Sequence, residues 1–379
     1  SGGATCPSLL LEPSRSNLFP QSEYPSTSTL NLVNGGYTWT HNQINSPEGV
    51  QNASKWSAAN NNAVVGVYRN FSATGGASYT FSVFAKKGDH NFIQLQNGGG
   101  GSGANSYANF DLENGTKSDG ATITDAFIDD FGNGWYRCGI TFSVSSTTTS
   151  NCSIDIIDSL SAGRNSTFIG SVGDYFYLWG MQAEAGSYAT SYIPTYGTSQ
   201  TRAGEICNST EDATTINSTE GVLYFEVSGF ENDLSDRYIS ISDGTLNNAI
   251  RIFYYQDGGT TFFRKNVNGA QTTIVTTSAI NKSELTKIAV KYNSTNFDIF
   301  SNGVKISTNL DSNSFPISTL NEINFSNADG INQPFYGKTK QLIYFPTALS
   351  DLQLAILTGA TTYETFDEMA LALNYTVYE

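Results

Sequence analysis

Histidine, methionine and cysteine are scarce in this chain of 379 residues, which contains 2 His, 2 Met and 4 Cys. Two histidines cannot supply a His-rich metal site, and a Ser-His-Asp triad would have to use one of them. His41 and His90 lie in polar, turn-like runs, which predicts solvated loop positions. The sequence has neither a phosphate-binding GxxxxGK[ST] loop nor a G-x-S-x-G nucleophile elbow. These absences argue against nucleotide-dependent and serine-nucleophile chemistry.

Charged residues are also sparse, and their net charge is negative. Charged residues make up 14% of the chain, against about 25% in an ordinary soluble domain. The net charge is −15, with 9 Lys/Arg against 14 Asp/Glu in residues 1–203 and 10 against 20 in residues 204–379. Neither half has a basic stripe, which disfavours nucleic-acid binding. No apolar run approaches the roughly 20 residues of a membrane span, so membrane insertion is not expected.

Alternation of apolar and polar residues with a period of two runs through the sequence. It is clear in residues 79–86, 223–227, 238–242 and 287–292, and it predicts half-buried strands. Asn302-Gly303 between two such runs predicts a hairpin. Turns rich in Gly, Asn, Ser and Asp separate the strands, and few helices are indicated. We therefore predict an all-β protein made of two tandem antiparallel β-sandwich (jelly-roll) domains.

Two helix starts stand out near the C-terminus. Ser350 with Gln353 fits a capping box and opens a short helix predicted to reach Leu357. Thr365 with Glu368 fits the same pattern and opens a helix from Phe366 to about residue 373. The strand pattern breaks near residues 194–210, which predicts domains at 1–203 and 204–379, each large enough to bury a core of its own.

Several segments of the first 203 residues match motifs that occur together in known proteins. They are LLLEPSRSNL at 9–18, TFSVFAK at 80–86, FDL at 110–112, GWYRC at 134–138, LWGMQAEAGSYATSYIPT at 178–195 and TRA at 201–203. In this combination they resemble bacteriophage virion proteins of tail fibres, head fibres and other appendages. The resemblance implies a jelly-roll domain like a carbohydrate-binding module for residues 1–203.

The second half carries a different set of motifs. They are EGVLYFE at 220–226, ISDGT at 241–245, KIAVKY at 287–292, NGVK at 302–305 and FYGKTKQ at 335–341. These resemble the concanavalin A-like, laminin G-like module that often follows in such virion proteins. The resemblance implies a second β-sandwich over residues 204–379. It also implies a virion-surface location, other virion proteins as partners, and a homo-oligomer, with a trimer as the fibre norm.

A glycan or receptor on the host surface is the ligand that these modules imply, and aromatic rings are the side chains that stack on sugar faces. Trp39 and Trp56 lie in polar surroundings and are candidate ligand-binding residues, whereas Trp135 and Trp179 sit in strand motifs and are expected in the core. The remaining candidates are Tyr107, beside a glycine-rich loop, and Tyr254 in the second module.

Carboxylates give a second set of candidates. Jelly rolls often hold a structural Ca²⁺, and Asp111, Asp174 and Asp243 are its candidate ligands here, although no cofactor is required. A glycosidase would need two opposed carboxylates several ångströms apart. The sequence offers many pairs, including members at 125, 129, 130, 155 and 158, and selects none of them.

The cysteines fall into two pairs. Cys6 and Cys207 flank the first predicted module, and a disulfide between them is expected if the ends of that module meet. Cys138 and Cys152 would face each other if a hairpin closes near residue 145, but cross-strand disulfides are geometrically uncommon. We expect Cys138 and Cys152 to be two buried thiols.

Three functions remain open at this point. The first is a non-enzymatic virion appendage that binds host-surface glycan through weak sites displayed in several copies. The second is a polysaccharide depolymerase or lyase on a jelly-roll scaffold, which would place a tyrosine, His41 or His90, and an arginine in one cleft. The third is a structural capsid or collar component. The fold alone does not choose among them.

Overall fold

The computed structural model describes residues 8–99, 106–229, 235–255, 259–278, 280–281, 284–359 and 365–374. The first strands in chain order are β1 (Leu9–Leu11), β2 (Arg15–Asn17), β3 (Asn31–Val33), β4 (Tyr37–Ile44), β5 (Ala53–Ala58), β6 (Val65–Ala73), β7 (Ser78–Lys87), β8 (Phe92–Gly99), β9 (Tyr107–Asp111), β10 (Thr116–Asp119), β11 (Asp125–Asp130), β12 (Trp135–Ser143), β13 (Thr148–Ile156), β14 (Tyr175–Ala185) and β15 (Gln200–Arg202). They are followed by β16 (Gly221–Gly229), β17 (Arg237–Ser242), β18 (Ala249–Tyr254), β19 (Thr261–Val267), β20 (Ala270–Thr277), β21 (Thr286–Tyr292), β22 (Asn296–Ser301), β23 (Val304–Leu310), β24 (Glu322–Asn324), β25 (Gly337–Phe345), α1 (Asp351–Leu357) and α2 (Phe366–Ala372). The protein is all-β with short helices near its C-terminus, as predicted.

The chain divides into two compact units. The N-terminal unit is Ser14–Ala203, and the C-terminal unit is Gly204–Glu379 together with Ser1–Pro13. The strand pattern predicts a first domain over residues 1–203, whereas in the structure residues 1–13 group with the C-terminal unit. Leu9–Leu11 pairs antiparallel with Gly337–Phe345, and Leu11 is buried in the core of the C-terminal unit. Strand pairing and the burial of Leu11 attach this run to the C-terminal unit, whereas Leu9 is 43% exposed.

The N-terminal unit is a sandwich of two six-stranded antiparallel sheets. The front sheet has the strand order β10-β9-β8-β13-β6-β3, and the back sheet has the order β11-β12-β7-β14-β5-β4. Alternate side chains of both sheets point inward and form one apolar core. Val67 and Leu95 of the front sheet and Phe81 and Ile140 of the back sheet are members of that core. On the outer face of the back sheet, Phe84, Trp135 and Trp179 form a second, smaller apolar cluster.

The C-terminal unit is a second sandwich. Its six-stranded sheet has the order β1-β25-β16-β21-β22-β23, and its five-stranded sheet has the order β20-β19-β18-β17-β24. Leu223 and Val290 of the first sheet pack with Ile250 and Phe263 of the second in a common core. In the part of the chain that the structure describes, no helix has the length and apolar character needed to cross a membrane.

Local sequence signals fixed several elements. Asn302 and Gly303 adopt positive φ and turn β22 into β23, which confirms the predicted hairpin. Ser350 and Gln353 form the predicted capping box, and α1 ends at Leu357 as expected. The side chain of Thr365 accepts a hydrogen bond from the backbone of Glu368 and caps α2. These signals are local hydrogen bonds, so they are readable without knowledge of the tertiary structure.

Candidate functional site

The outer face of the front sheet is polar at its centre because of the alternation in β8 and β13. In β8, Ile93 and Leu95 point into the core, which turns Gln96 to the outer face. In β13, Ile154 points into the core and Asp155 outward. The antiparallel register places Asp155 beside Gln94 and Ser153 beside Gln96. A row of hydrogen-bonding side chains therefore crosses the middle of the sheet.

The segment that follows β13 lies against this face and is held there by the same glutamines. Gln94 Nε2 donates to the carbonyl oxygen of Gly163 at 3.0 Å, and Gln96 Nε2 donates to Asn165 Oδ1 at 3.0 Å. Arg164 Nη2 donates to the carbonyl oxygen of Asn97 at 2.9 Å. These bonds bring the Arg164 guanidinium to the edge of the polar row.

Between the segment and the sheet lies a cleft of about 230 Å³. The side chains that matter for its chemistry are Tyr68, Gln96, Asn151, Asp155 and Arg164. Ligand pockets for drug-sized molecules run from about 300 to 1,000 Å³. The cleft is below that range, so it suits a small polar unit such as one sugar ring.

Asp155 is the buried acid at the base of the cleft. It is 2% exposed, and its Oδ2 accepts a hydrogen bond from Gln96 Nε2. Its Oδ1 lies over Gly66, where a Cβ atom would be only 1.8 Å away, so the carboxylate fits because residue 66 has no side chain. Burial raises the pKa of Asp155 to about 7, while the Gln96 hydrogen bond and the charge of Arg164 act to lower it.

Three buried polar atoms of the cleft residues have no hydrogen-bond partner in the protein. They are the acceptors Gln96 Oε1 and Asp155 Oδ1 and the donor Arg164 Nε. A buried polar group left without a partner costs about 1–3 kcal/mol, so folded proteins rarely keep several of them together. A pair of neighbouring hydroxyl groups can donate to the two acceptors and accept from the donor. The site is therefore complementary to a polyol.

The predicted aromatic ligand residues are only partly placed to meet a ligand. Trp56 is 1% exposed and Tyr254 is 5% exposed, each inside the core of its own unit, so the prediction that they stack on a sugar is corrected. Trp39 is half-buried with its ring edge-on to Trp56 at 5.8 Å. Tyr107 is half-buried in the front sheet and pairs with Gln96 in register, which places it beside the cleft residues. Trp135 and Trp179 are buried, as expected.

The predicted calcium ligands lie in separate turns that their own carboxylates stabilise. Asp111 accepts hydrogen bonds from Asn91, Asn114 and the backbone of Glu113. Asp174 accepts from the backbone of Ser171, and Asp243 accepts from Thr245 and Asn248. Among the described residues, no three His, Cys, Asp or Glu side chains come together as a metal site would require. Calcium binding stays a prediction.

The two cysteine pairs have different outcomes. Cys138 lies in the back sheet and Cys152 in the front sheet, so the strands that carry them do not form a hairpin with each other. Both are buried free thiols, as predicted, and burial raises the pKa of each well above its usual value. Cys207 is half-buried against the core of the C-terminal unit. Cys6 lies outside the described residues, so the Cys6–Cys207 disulfide stays a prediction.

The histidines do not join the cleft. His41 Nδ1 lies 2.9 Å from Ser54 Oγ, and His90 Nε2 lies 2.7 Å from the carbonyl oxygen of Ile157. Among the described residues that line the cleft, Asp155 is the one carboxylate and none is a histidine. The arrangement of tyrosine, histidine and arginine that a lyase would need is not assembled around this cleft.

The sequence signal for the cleft was present but is common. The runs Ile93-Gln94-Leu95-Gln96 and Cys152-Ser153-Ile154-Asp155 both alternate apolar and amide or acidic residues. Such runs predict half-buried strands, and most strands of this kind expose their polar side chains to water. Only the pairing of β8 with β13 and the position of Arg164 make them a site.

Comparison with known proteins bears on the C-terminal unit. Residues 226–355 match the laminin G-like model of the Concanavalin A-like lectin/glucanases superfamily. The match covers about a third of the chain and agrees with the two-sheet sandwich found there. The search of curated proteins found no match to the chain.

Solved structures with some likeness include three sandwich proteins. The carbohydrate-binding module CBM40 of Ruminococcus gnavus IT-sialidase, bound to α2,3-sialyllactose, is 18% identical with a TM-score of 0.34 and covers 41% of this chain and 97% of its own. The pentraxin from Limulus polyphemus is 14% identical with a TM-score of 0.33, covering 40% and 75%. Domains LG4-5 of the mouse laminin α1 chain are 11% identical with a TM-score of 0.26, covering 78% and 91%. These likenesses are distant, and the functional conclusion rests on the cleft.

Proposed function

We propose that this chain is a non-enzymatic glycan-binding protein whose N-terminal cleft holds one sugar unit of a surface polysaccharide. The observation that carries the proposal is the set of three buried, unpartnered polar atoms on Gln96, Asp155 and Arg164 around a cleft of about 230 Å³. Sugar hydroxyls are the groups that can satisfy donors and acceptors at once. The match of residues 226–355 to a superfamily named for lectins and glucanases supports the same class of ligand.

In the bound state, the side chains of the cleft shift so that two neighbouring hydroxyl groups of the sugar reach and donate to Asp155 Oδ1 and Gln96 Oε1, which are buried from solvent in the free protein. The Nε–H of Arg164 donates to one of the same hydroxyl oxygens. The half-buried ring of Tyr68 offers an apolar surface for the C–H face of the sugar. Hydrogen bonds to charged groups are worth about 1.5–3 kcal/mol each, so Asp155 is expected to contribute most of the polar affinity.

Binding is favoured over catalysis because of the number of acids at the cleft. Hydrolysis of a glycosidic bond needs two carboxylates on opposite sides of the bond. Asp155 is the one carboxylate among the cleft-lining residues that the structure describes. A single acid with hydrogen-bonding amides around it suits recognition of hydroxyl groups better than proton transfer and attack.

The place of action that we propose is the surface of a bacteriophage virion. The support is the set of sequence motifs shared with virion appendage proteins, from LLLEPSRSNL to LWGMQAEAGSYATSYIPT. In that setting the ligand is a host-surface glycan, the neighbours are other virion proteins, and several copies of a weak site act together. A homotrimer is the assembly that such fibres favour.

A glycan array with host-type surface polysaccharides, run with and without Ca²⁺, tests the proposal. Titration calorimetry on the best hit then compares the wild type with Asp155→Asn and with Asp119→Asn, an exposed acid on edge strand β10 of the same sheet. We expect Asp155→Asn to weaken binding by roughly 10-fold or more and Asp119→Asn to leave it unchanged.

Chain length of the polysaccharide is measured in the same samples. Shortening of the polysaccharide by the wild type would overturn the non-enzymatic assignment. Equal affinity for the wild type and a folded Asp155→Asn variant would show that the sugar binds elsewhere. A requirement for Ca²⁺ would direct attention to Asp111, Asp174 and Asp243.

A further inference from the structure

A second face, in the C-terminal unit, carries two arginines that form no ion pair with any other residue that the structure describes. In the five-stranded sheet, Ile250, Ile252 and Phe263 point into the core, which turns Arg251 and Arg264 to the outer face. These two arginines are direct partners in the register of β18 and β19. Like charges placed opposite each other on neighbouring strands destabilise a sheet, so their pairing calls for a reason.

The surroundings of Arg251 are polar but neutral. It is 6% exposed, Nη1 lies 3.5 Å from Asn327 Oδ1, and Nη2 donates to Asn266 Oδ1 at 3.2 Å. Arg264 is half-buried, and its guanidinium carbon lies 5.2 Å from the centre of the Phe253 ring. Burial first, and then the charge of Arg264, lower the pKa of Arg251.

Neither arginine has an anionic partner among the described residues. No ion pair of the described part of the chain includes Arg251 or Arg264. The Nε atoms of both are buried and have no hydrogen-bond partner. Yet residues 204–379 contain 20 Asp and Glu against 10 Lys and Arg, so acids are plentiful in this half of the chain. The charge of the two guanidinium groups is therefore left for an anion from outside to balance.

An aromatic row lies directly beside the arginine pair. Tyr238, Phe253 and Phe262 occupy successive strands in register, with ring centres 4.5 Å and 4.7 Å apart and interplanar angles of 15° and 4°. Phe262 is half-buried and marks the accessible end of the row, on the strand that also carries Arg264. The face thus joins an apolar strip to a doubly cationic patch.

We propose that this face binds the carboxylate group of an acidic sugar. The two Nη groups at the end of the half-buried Arg264 guanidinium are parallel donors that match the two oxygens of a carboxylate. A uronic acid carries its carboxylate on a carbon of the ring, next to C–H groups that the aromatic strip can contact. The proposal rests on residues of the C-terminal unit and is independent of the Asp155 cleft.

Titration of the full chain with trigalacturonate and with its trimethyl ester tests the proposal, because esterification removes the charge of each carboxyl group and adds only one methyl group to it. We expect the ester to bind at least about 10-fold more weakly, and the affinity for the acid to fall as salt is raised. Arg264→Gln should lower the affinity for trigalacturonate by at least about 10-fold. Arg237→Gln is the matched control, because Arg237 lies on the same sheet with its register partner Tyr254 in the core.

A structural role for Arg264 would give the opposite pattern. If Arg264 is structural, the Arg264→Gln variant should be less stable and should still bind trigalacturonate. If Arg264 is a binding residue, the variant should lose binding, and its stability should be unchanged or higher because the repulsion with Arg251 is relieved. Arg251→Lys, which keeps the charge and loses the fork, should also weaken binding. Equal affinity for acid and ester, or tighter binding of a penta-aspartate peptide than of trigalacturonate, would overturn the proposal. Asp155→Asn should bind trigalacturonate as the wild type does, which separates failure of this site from failure of the cleft.

Discussion

Asp155 is a buried acid, and only one of its two carboxylate oxygens has a hydrogen-bond partner in the protein. One carboxylate oxygen accepts from Gln96, and the other lies buried over Gly66 without a partner. The ionised form is therefore costly in the free protein, which is why burial raises its pKa to about 7. A ligand that donates hydroxyl hydrogens stabilises the ionised form, so binding and ionisation of Asp155 favour each other.

The stability of the free protein should fall as the pH rises from about 4 to about 7. In that window the folded state keeps a proton on Asp155 that the unfolded chain, with an aspartate pKa of about 3.9, has released. The loss is at most about 4 kcal/mol for this group and is complete above its folded pKa. Urea unfolding at pH 5 and pH 8 measures it, and Asp155→Asn should lack this contribution.

The affinity for the cleft ligand should change in the opposite direction, rising from pH 5 to pH 8 because the ionised carboxylate is the better acceptor. Asp119→Asn is the control for both measurements. An unfolding free energy with the same pH dependence in Asp155→Asn and Asp119→Asn would contradict this account of Asp155.

At the scale of elements, the motif residues that resemble those of virion proteins form hydrogen bonds that connect strands of the N-terminal unit. Asn17 Nδ2 donates to the carbonyl oxygens of Met181 and Ile193. Glu184 is fully buried and accepts from Gln182 Nε2 at 2.7 Å and from the backbone and hydroxyl of Thr190. These side chains tie the first and last strands of the unit together, so they report the fold and carry no information about the ligand.

The same scale shows what the sequence could and could not predict. Strand alternation, the Asn302-Gly303 turn and the Ser350 cap depend on neighbours in the chain, and all were predicted. The cleft depends on Asp155 meeting Gln96 across a strand pair and Arg164 returning over the sheet. The side chains of Trp56 and Tyr254 were misjudged because polar neighbours in sequence do not reveal which face of a strand is buried.

A buried ion pair holds β19 to the segment after β23 in the C-terminal unit. Lys265 Nζ lies 3.1 Å from Asp311 Oδ2, and both side chains are 1% exposed. Asp311 also accepts from Thr273 Oγ1 at 2.8 Å and from the backbone of Asn313 at 2.9 Å. Burial acts to raise the pKa of Asp311, but these bonds and that from Lys265 outweigh it and hold the pKa below its usual value.

Asp311→Ala should therefore destabilise the C-terminal unit by about 3–5 kcal/mol, because it leaves the Lys265 ammonium buried without its charge partner. The double variant Lys265→Met with Asp311→Leu should recover most of the loss. Urea denaturation of the three proteins measures both effects. A double variant as unstable as Asp311→Ala would show that the pair is needed for more than charge compensation.

At the scale of the whole molecule, the described residues of each unit form a main apolar core of their own and one smaller apolar cluster. Each unit also carries polar side chains with unpartnered atoms, around Asp155 in the N-terminal unit and at Arg251 and Arg264 in the C-terminal unit. The N-terminal set suits neutral hydroxyls, and the C-terminal set suits an anion. A polysaccharide with both neutral and uronic acid units would engage both, so its affinity would exceed that of either fragment when the linkage length permits.

Separate cores predict separate unfolding. Scanning calorimetry should show two transitions, and Asp311→Ala should lower one of them by several degrees while leaving the other in place. Glu184→Ala is the reciprocal variant, because it leaves the buried donors of Gln182 and Thr190 without an acceptor in the N-terminal unit. It should lower only the transition that Asp311→Ala spares.

A ligand gives a further test of the same independence. Trigalacturonate at 100 times its Kd should raise the free energy of unfolding of the C-terminal unit alone by about 2.7 kcal/mol. A single transition moved by both variants would contradict the independence of the units.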